Sequence, residues 1–204
     1  MLDYEKRRGT LPPYDLNPMT SFDLTNQFLI AMPAMGDPNF SKTVTYVCAH
    51  NDEGAMGIVI NRPLDLELNE VFSQMNIATP GSTLKFQPVY QGGPVQRDRG
   101  FIIHKPTQDW ESTIQVTGEL AVSTSRDILE AMGQGEGPGA TLVALGYAGW
   151  GAGQLEQEMG QNAWLSGPAS LEIIFNTPPD RRWQCAVAEM GVDLSSLSND
   201  IGHA

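Results

Sequence analysis

Strand patterns crowd the segment between residues 28 and 61, and their spacing restricts how the chain can fold. Apolar or alternating runs occur at residues 28–32, 43–50 and 55–61. Several connections between such runs are shorter than the dozen or so residues that a parallel crossover needs. The sheet is therefore predicted to be mixed and to belong to a single α+β domain.

Helical patterns interrupt the strand patterns along the rest of the chain. Residues 65–75 carry apolar side chains at i, i+3, i+4 and i+7, with Asp65 as an N-terminal cap. Further helices are predicted at residues 124–133, 153–161 and 177–191. Further strands are predicted at residues 87–91, 100–105, 113–117, 119–123, 141–147 and 170–175.

Acidic residues dominate the charge of the chain. Its 204 residues carry a formal charge of −12, from 24 acidic and 12 basic side chains. Such a field repels phosphate backbones, so direct binding of DNA or RNA is not expected. The apolar runs fall well short of the ~20 residues that span a bilayer, so no membrane segment is predicted. Two cysteines and no secretory signal pattern favour a reducing cytoplasm.

The N-terminal region differs in character from the rest. Residues 1–23 contain prolines among polar residues and show no sustained period. They are predicted to form a flexible N-terminal extension. Residues 24–204 are predicted to form the globular domain, for which 41% hydrophobic residues supply enough core.

Cys48 and His50 form the first candidate for chemistry. They are separated by one residue in an alternating strand pattern, so they are predicted to share a face and a pocket. With Asp37 in the preceding turn, they could activate a thiolate. The alternative is that Cys48 packs as a small buried hydrophobe. A zinc site would call for a pattern such as CxxC or HExxH, which the sequence lacks, and no metal or cofactor is predicted.

A glycine-rich turn forms the second candidate. Residues 146–153, GYAGWGAG, join a strand pattern to a helix pattern, where free backbone N–H groups could hold an anion. The segment has neither a Walker nor a dinucleotide fingerprint, so the glycines could equally serve a sharp turn. Trp150 could stack on a planar ligand or pack in the core.

Two arginines beside turns are candidates for binding a carboxylate or phosphate group. Arg62 follows Asn61 at a strand end, and Arg99 follows the turn at residues 92–94. Either arginine could instead be paired with an acidic neighbour such as Asp98. His104, at the end of another strand pattern, could face the same crevice or be a satisfied surface or core side chain.

These residues are predicted to meet in one concavity. Polar side chains at strand ends are costly to keep in a crevice unless they are paired or used. The catalytic candidates are Cys48, His50 and Asp37. The ligand-binding candidates are Asn61, Arg62, Gly92, Gly93, Arg99, Tyr147, Gly149, Trp150, Gly151 and Gly153.

The sequence closely resembles the YqgE/AlgH family of bacterial proteins. The segments that carry the resemblance are residues 29–63, 89–104 and 145–165. It covers about residues 24–204 and implies a large, curved mixed sheet with helices packed outside it. Members of that family are described as transcriptional regulators and lack an agreed reaction.

The resemblance and the charge together favour a cytosolic regulatory protein. The acidic chain shows no helix-turn-helix pattern, so an effect on gene expression is expected to be indirect, through a small anionic ligand or a protein partner. The alternative is a cysteine-dependent hydrolase or redox enzyme that uses Cys48, His50 and Asp37. Direct DNA binding is a third, weaker hypothesis. Exposed strand edges also make a homodimer an expectation.

Overall fold

A computed structural model describes residues 23–80 and 82–192. Within these ranges the strands are β1 (Gln27–Ala31), β2 (Val44–Asn51), β3 (Gly54–Val59), β4 (Pro63–Glu67), β5 (Pro88–Gln91), β6 (Val95–His104), β7 (Thr113–Gln115), β8 (Ala121–Ser123), β9 (Thr141–Gly151) and β10 (Trp164–Pro168). The α-helices are α1 (Leu68–Gln74), α2 (Arg126–Gln134), α3 (Gln154–Gly160), α4 (Leu171–Phe175) and α5 (Pro179–Glu189). A 3-10 helix, Leu84–Phe86, precedes β5.

The described strands form one sheet, with β9 at its centre. The main path runs β10-β1-β2-β3-β9-β6-β8-β7, and β5 joins β9 to β4. The β5–β9 pair is parallel, whereas the other pairs are antiparallel. The prediction of a single α+β domain with a large mixed sheet and helices packed against it is confirmed.

Three apolar clusters attach the helices to the sheet. The cluster around Tyr46 lies under α4 and α5, and the cluster around Phe72 includes α1 and α2. The third, around Trp150 and Trp164, includes Leu155 of α3. Each helix turns an apolar stripe toward a strand face, which is the arrangement that the helical spacing predicts.

Residues 171–175 form a helix, so the strand predicted at residues 170–175 is wrong. The Ile174 N–H donates to Ser170 O at 3.0 Å and the Asn176 N–H donates to Glu172 O at 2.9 Å, as in a helical turn. Residues 164–168, which precede it, form β10 and pair with β1. A short apolar run fits either structure, and packing against the sheet decides between them.

Two predicted boundaries also differ. Asp65 lies in β4, where pairing with β5 keeps the chain extended, and α1 begins after Glu67 with a reciprocal cap to Glu70. The glycine-rich residues 146–151 belong to β9 instead of a turn. Backbone pairing with β3 outweighs the weak strand preference of glycine there.

No helix within residues 23–80 and 82–192 is long and apolar enough to cross a membrane. The predicted N-terminal extension lies outside the described residues apart from Asp23. Its flexibility and its boundary at residue 24 stay predictions.

Candidate functional site

A β-bulge in β2 separates the two side chains that strand alternation places together. Val47 and Ala49 pair with consecutive residues of β3, so Cys48 is an extra residue in the ladder. The extra residue reverses the alternation, and His50 lies on the opposite face of the sheet from Cys48. The prediction that Cys48 and His50 share a face is wrong, because an alternating sequence does not reveal a bulge.

Cys48 is enclosed in the apolar cluster under α4 and α5. The residue is 1% exposed, and its Sγ donates to Met56 O at 3.3 Å. Burial raises the pKa of the Cys48 thiol to about 12. An increase of this size lowers the thiolate fraction at neutral pH by about a thousandfold. The exposed Asp37 carboxylate accepts the Asn39 N–H at 2.8 Å. The predicted group of Cys48, His50 and Asp37 is not assembled, because Cys48 and His50 lie on opposite faces of β2.

His50 ties the start of the described chain to α3. Its Nδ1 accepts the Leu24 N–H at 3.0 Å, and its Nε2 lies 3.1 Å from Glu156 Oε1. Because Nδ1 is an acceptor here, the neutral ring carries its proton on Nε2 and donates it to Glu156. These two bonds give His50 a structural role on the α3 side of the sheet.

Trp150 packs in the core beside α3. It is 6% exposed, and its ring lies 6.2 Å from that of Phe40 and 6.0 Å from that of Trp164. The indole Nε1 groups of Trp150 and Trp164 both donate to Glu158 Oε2, at 2.9 and 2.8 Å. One carboxylate oxygen therefore satisfies two buried donors.

The glycine-rich segment around Trp150 is held mainly by backbone pairing. Gly149 and Gly151 lie in β9 opposite β3, and Gly153 precedes α3. The Gly151 N–H also donates to Gln154 Oε1 at 3.1 Å. α3 has only seven residues, so its dipole at this turn is small.

Asn61 and Arg62 hold the loop between β1 and β2. Asn61 accepts the first N–H of β2 at 2.9 Å and donates to Lys42 O at 2.8 Å. Arg62 donates to Ser41 O at 2.9 Å. Burial lowers the pKa of Arg62, and the charge of Asp37 in the same loop opposes that shift. The hydrogen bonds of both side chains therefore fix the conformation of this loop.

Gly92 and Gly93 pass over β9 so closely that their backbone atoms contact the backbone of that strand. A Cβ on Gly93 would lie 2.1 Å from the carbonyl carbon of Tyr147, and the residue has a φ of +156°. The Gly92 N–H donates to Leu145 O and its carbonyl accepts the Val59 N–H, both at 2.8 Å. The glycines are required here because a side chain would collide with β9.

Arg99 lies in a bulge of β6 beside this crossing. Its guanidinium donates to Thr124 Oγ1 at 3.0 Å and lies over the Phe101 ring, 5.7 Å from the centroid. That ring in turn lies 5.4 Å from the ring of Tyr147. Arg99 forms no ion pair with Asp98 or with any other acidic side chain in the described ranges.

The predicted residues therefore fall into local groups with their own hydrogen bonds. Those at the β1–β2 loop are Asp37, Asn61 and Arg62. Those near α3 are His50, Trp150, Gly151 and Gly153. Those at the β9 crossing are Gly92, Gly93, Arg99, Tyr147 and Gly149. Cys48 lies on the opposite face from His50, and the role of the other residues in binding stays a prediction.

His104 is a satisfied core side chain. It is fully buried, and its Nδ1 donates to Lys105 O at 3.0 Å. Its Nε2 therefore accepts the Ser123 hydroxyl at 2.8 Å. Burial lowers the pKa of His104, although the bond to Lys105 opposes that shift. The ring is a neutral bridge between β6 and β8.

A pocket that no sequence motif indicates opens between the sheet and helices α4 and α5. It has a volume of about 140 Å³. Its lining residues, which define the Arg182 pocket, are the polar Gln87, Tyr90, Thr141 and Arg182 and the apolar Pro88, Leu142, Ile174 and Phe175. They come from β9, α4, α5 and the segment around β5, which are distant in sequence.

Arg182 is the charged group of this pocket and is only 4% exposed. Its Nε donates to Thr177 O at 2.9 Å, and one Nη donates to Ile60 O. The guanidinium lies over the Tyr90 ring, 5.0 Å from the centroid. Burial lowers the pKa of Arg182 and Tyr90 opposes that shift, but an arginine keeps its proton at neutral pH.

The charge of Arg182 has no acidic partner in the part of the chain that the structure describes. The ion pairs there are His50–Glu156 and Arg126–Glu130. Thr141, which also lines the pocket, has a buried hydroxyl with no hydrogen-bond partner among residues 23–80 and 82–192. One signal in the sequence points to Arg182: it precedes Ala186 by one helical turn on α5, and Ala186 is fully buried.

A ten-stranded mixed sheet with helices on its faces defines an α+β class to which several known proteins belong. The AlgH-like family model (DUF179) matches residues 28–195 of this chain. A UPF0301 protein of Thioalkalivibrio sulfidiphilus is 59% identical over 184 residues, which cover 90% of this chain and 98% of that protein. The chain therefore belongs to the AlgH-like family, and the resemblance to YqgE/AlgH proteins is confirmed.

Solved structures agree with this assignment. The solution structure of AlgH from Pseudomonas aeruginosa is 50% identical, has a TM-score of 0.74, and covers 91% of this chain and 98% of its own. A crystal structure of a Corynebacterium diphtheriae protein has a TM-score of 0.68 over 86% of this chain and 91% of its own. At 20% identity, that protein shares the fold alone.

Proposed function

We propose that this protein is a cytoplasmic regulatory protein that reversibly binds a small anionic molecule. The observation that carries the proposal is Arg182, a buried cation that lines an open pocket and forms no ion pair with the described residues. A buried charge without an opposite charge costs several kcal/mol. An anion that enters from solvent lowers that cost. Its binding stabilises the state of the protein that holds it, which is how a small molecule can regulate a protein.

The regulatory part of the proposal follows from the family resemblance. The effect on gene expression is indirect, because a chain with a net charge of −12 opposes the phosphate contacts on which DNA affinity depends. A mobility-shift assay at physiological salt tests this point. Binding that discriminates between duplex sequences would overturn it.

A cysteine-dependent enzyme is the second candidate, and the position of Cys48 argues against it. The thiol is enclosed, its pKa is raised to about 12, and His50 lies on the other face of β2. In a Cys185→Ala variant, Cys48 should react with a thiol reagent at a rate that rises with denaturant. Rapid reaction of the native variant at neutral pH would favour the enzyme instead.

Native mass spectrometry of protein isolated from its own cells tests the proposed function directly. The expected result is a retained small acid that is released on denaturation. A second measurement, thermal unfolding with added phosphate or carboxylates at constant ionic strength, should show a raised midpoint. Protein that carries no small molecule and gains no stability from any anion would contradict the proposal, as would a protein partner that is retained in its place.

A further inference from the structure

We propose that the Arg182 pocket binds the oxyanion group of a small molecule, a carboxylate or a phosphate, whose short apolar part lies against Leu142, Ile174 and Phe175. This inference rests on the proposed function and names the ligand class and the atoms that hold it. The guanidinium of Arg182 supplies the charge, and the Thr141 hydroxyl donates a hydrogen bond.

The hydrogen-bonding capacity of Arg182 supports the first part of this assignment. A guanidinium has five N–H donors, and carbonyl oxygens accept from it at two places, Thr177 and Ile60. These two bonds and the Tyr90 ring fix the plane of the group. Tyr90 also forms a side-chain hydrogen bond with the guanidinium. The N–H groups that neither the two carbonyls nor Tyr90 occupy are left for a ligand, and the fork geometry of arginine matches a carboxylate or phosphate.

Thr141 is a second and independent indication. Its hydroxyl is buried and has no partner in the described part of the chain, although a buried hydroxyl is normally hydrogen-bonded. It begins β9 and lines the same pocket as Arg182. A group with one O–H to donate, in a residue that lines the same pocket as a cation, is suited to an acceptor that carries negative charge.

The size of the pocket restricts the ligand. Its volume is about 140 Å³. Drug-sized ligands occupy sites of about 300–1,000 Å³. The pocket can therefore enclose a carboxylate or phosphate group with a few carbon atoms, and any larger remainder of the molecule would lie outside it.

The test is an NMR titration of the full chain at constant ionic strength. Sodium butyrate and inorganic phosphate are the anionic probes, butyramide is the uncharged analogue of butyrate, and sodium chloride is the salt control. Butyrate, phosphate or both should shift the resonances of Thr141 and of the Arg182 side chain in a saturable way. Which of the two probes binds more tightly distinguishes a carboxylate site from a phosphate site.

Two matched variants locate the binding. Thr141→Val removes the pocket hydroxyl and should weaken the anion about tenfold, the value of one hydrogen bond to a charged group. Thr45→Val makes the same change at another buried hydroxyl without a partner, which does not line the pocket. It should leave the affinity unchanged. Arg182→Met should abolish binding, and Thr141→Val keeps the test decisive should Arg182→Met fail to fold.

Three outcomes would overturn the assignment. Equal shifts with butyrate and butyramide would show that charge is not recognised. Unchanged affinity in Thr141→Val would show that the anion binds elsewhere on the protein. The proposed function would then survive, because the protein would still bind an anion. Failure of the wild type to bind either anionic probe would reject the site, and the native mass spectrum and thermal unfolding with other carboxylates would then test the proposed function.

Discussion

Two charged side chains, the half-buried Glu158 and the buried Arg182, show different degrees of pairing. Both Trp150 and Trp164 donate to one oxygen of Glu158, and Gln154 donates to the other at 3.0 Å. Arg182 donates to two carbonyl oxygens, stacks on the Tyr90 ring and also hydrogen-bonds with the Tyr90 side chain, with no acidic partner among the described residues. The first charge is saturated by its neighbours, whereas the second leaves capacity for a ligand.

This difference separates structural residues from candidate functional ones. The motifs at Trp150 and at Gly92-Gly93 meet strict geometric requirements of the fold, and their polar atoms are matched internally. The Arg182 pocket has no motif, yet it contains a charge and a hydroxyl that the described chain does not pair. The candidate site is therefore marked by a charge and a hydroxyl in residues that line one pocket, and the conspicuous motifs do not mark it.

The largest expected loss of stability comes from a substitution in one of the structural motifs, Gly92-Gly93. Gly93→Ala should reduce the free energy of unfolding by about 4 kcal/mol or more, because its Cβ would lie 2.1 Å from a backbone carbon of β9. Gly36→Ala is the control, since nothing lies within 4 Å of that Cβ position. Chemical denaturation measures both variants. Similar small losses would show that the β9 crossing tolerates a side chain.

Removal of the saturated charge should have the next largest effect. Glu158→Ala leaves two buried indole N–H groups without an acceptor, which should cost about 3 kcal/mol of stability. Glu130→Ala removes an exposed i,i+4 ion pair on α2 and should cost less than about 0.5 kcal/mol. A loss below about 1 kcal/mol for Glu158→Ala would remove the basis for calling Glu158 saturated.

His104, another buried and internally hydrogen-bonded side chain, should make the stability of the protein depend on pH. Burial lowers its pKa in the folded protein, so the unfolded chain takes up a proton below about pH 6.5 that the folded chain does not. Stability should therefore fall as the pH drops from about 7 to 5, by at most ~1.4 kcal/mol per pH unit. His104→Gln should show a smaller slope between these values in denaturation curves. Equal slopes would mean that His104 does not contribute to the pH dependence.

The smallest change in stability is expected for a substitution in the Arg182 pocket, and this change is a gain instead of a loss. Thr141→Val should leave the ligand-free protein as stable as the wild type or raise its stability by about 1 kcal/mol, because an unpaired buried hydroxyl is removed. Thr45→Val should behave in the same way. A loss of more than about 1 kcal/mol in Thr141→Val alone would reveal an internal partner for its hydroxyl.

Much of the fold could be predicted from the sequence because strand and helix periods are local. The alternating run at residues 43–50 predicts β2, and the apolar spacing in residues 65–75 predicts most of α1. Residues 171–175 could not be assigned, since a short apolar run does not choose between helix and strand.

The candidate site was less accessible from sequence for two physical reasons. The bulge that turns His50 away from Cys48 depends on how β2 pairs with β3, and pairing register is not a local property. The Arg182 pocket joins β9, α4, α5 and the segment around β5, so its lining residues become neighbours only on folding. The helical spacing between Arg182 and Ala186 was its one local signal.

The most direct test of the unpaired charge is a pair of crystal structures, one grown with sodium butyrate and one with butyramide. The butyrate carboxylate should lie within about 3 Å of both Thr141 Oγ1 and a nitrogen of Arg182, with its carbon chain on Leu142 and Phe175, and butyramide should be absent from the pocket. Butyrate bound elsewhere, or butyramide in the same place, would contradict the account.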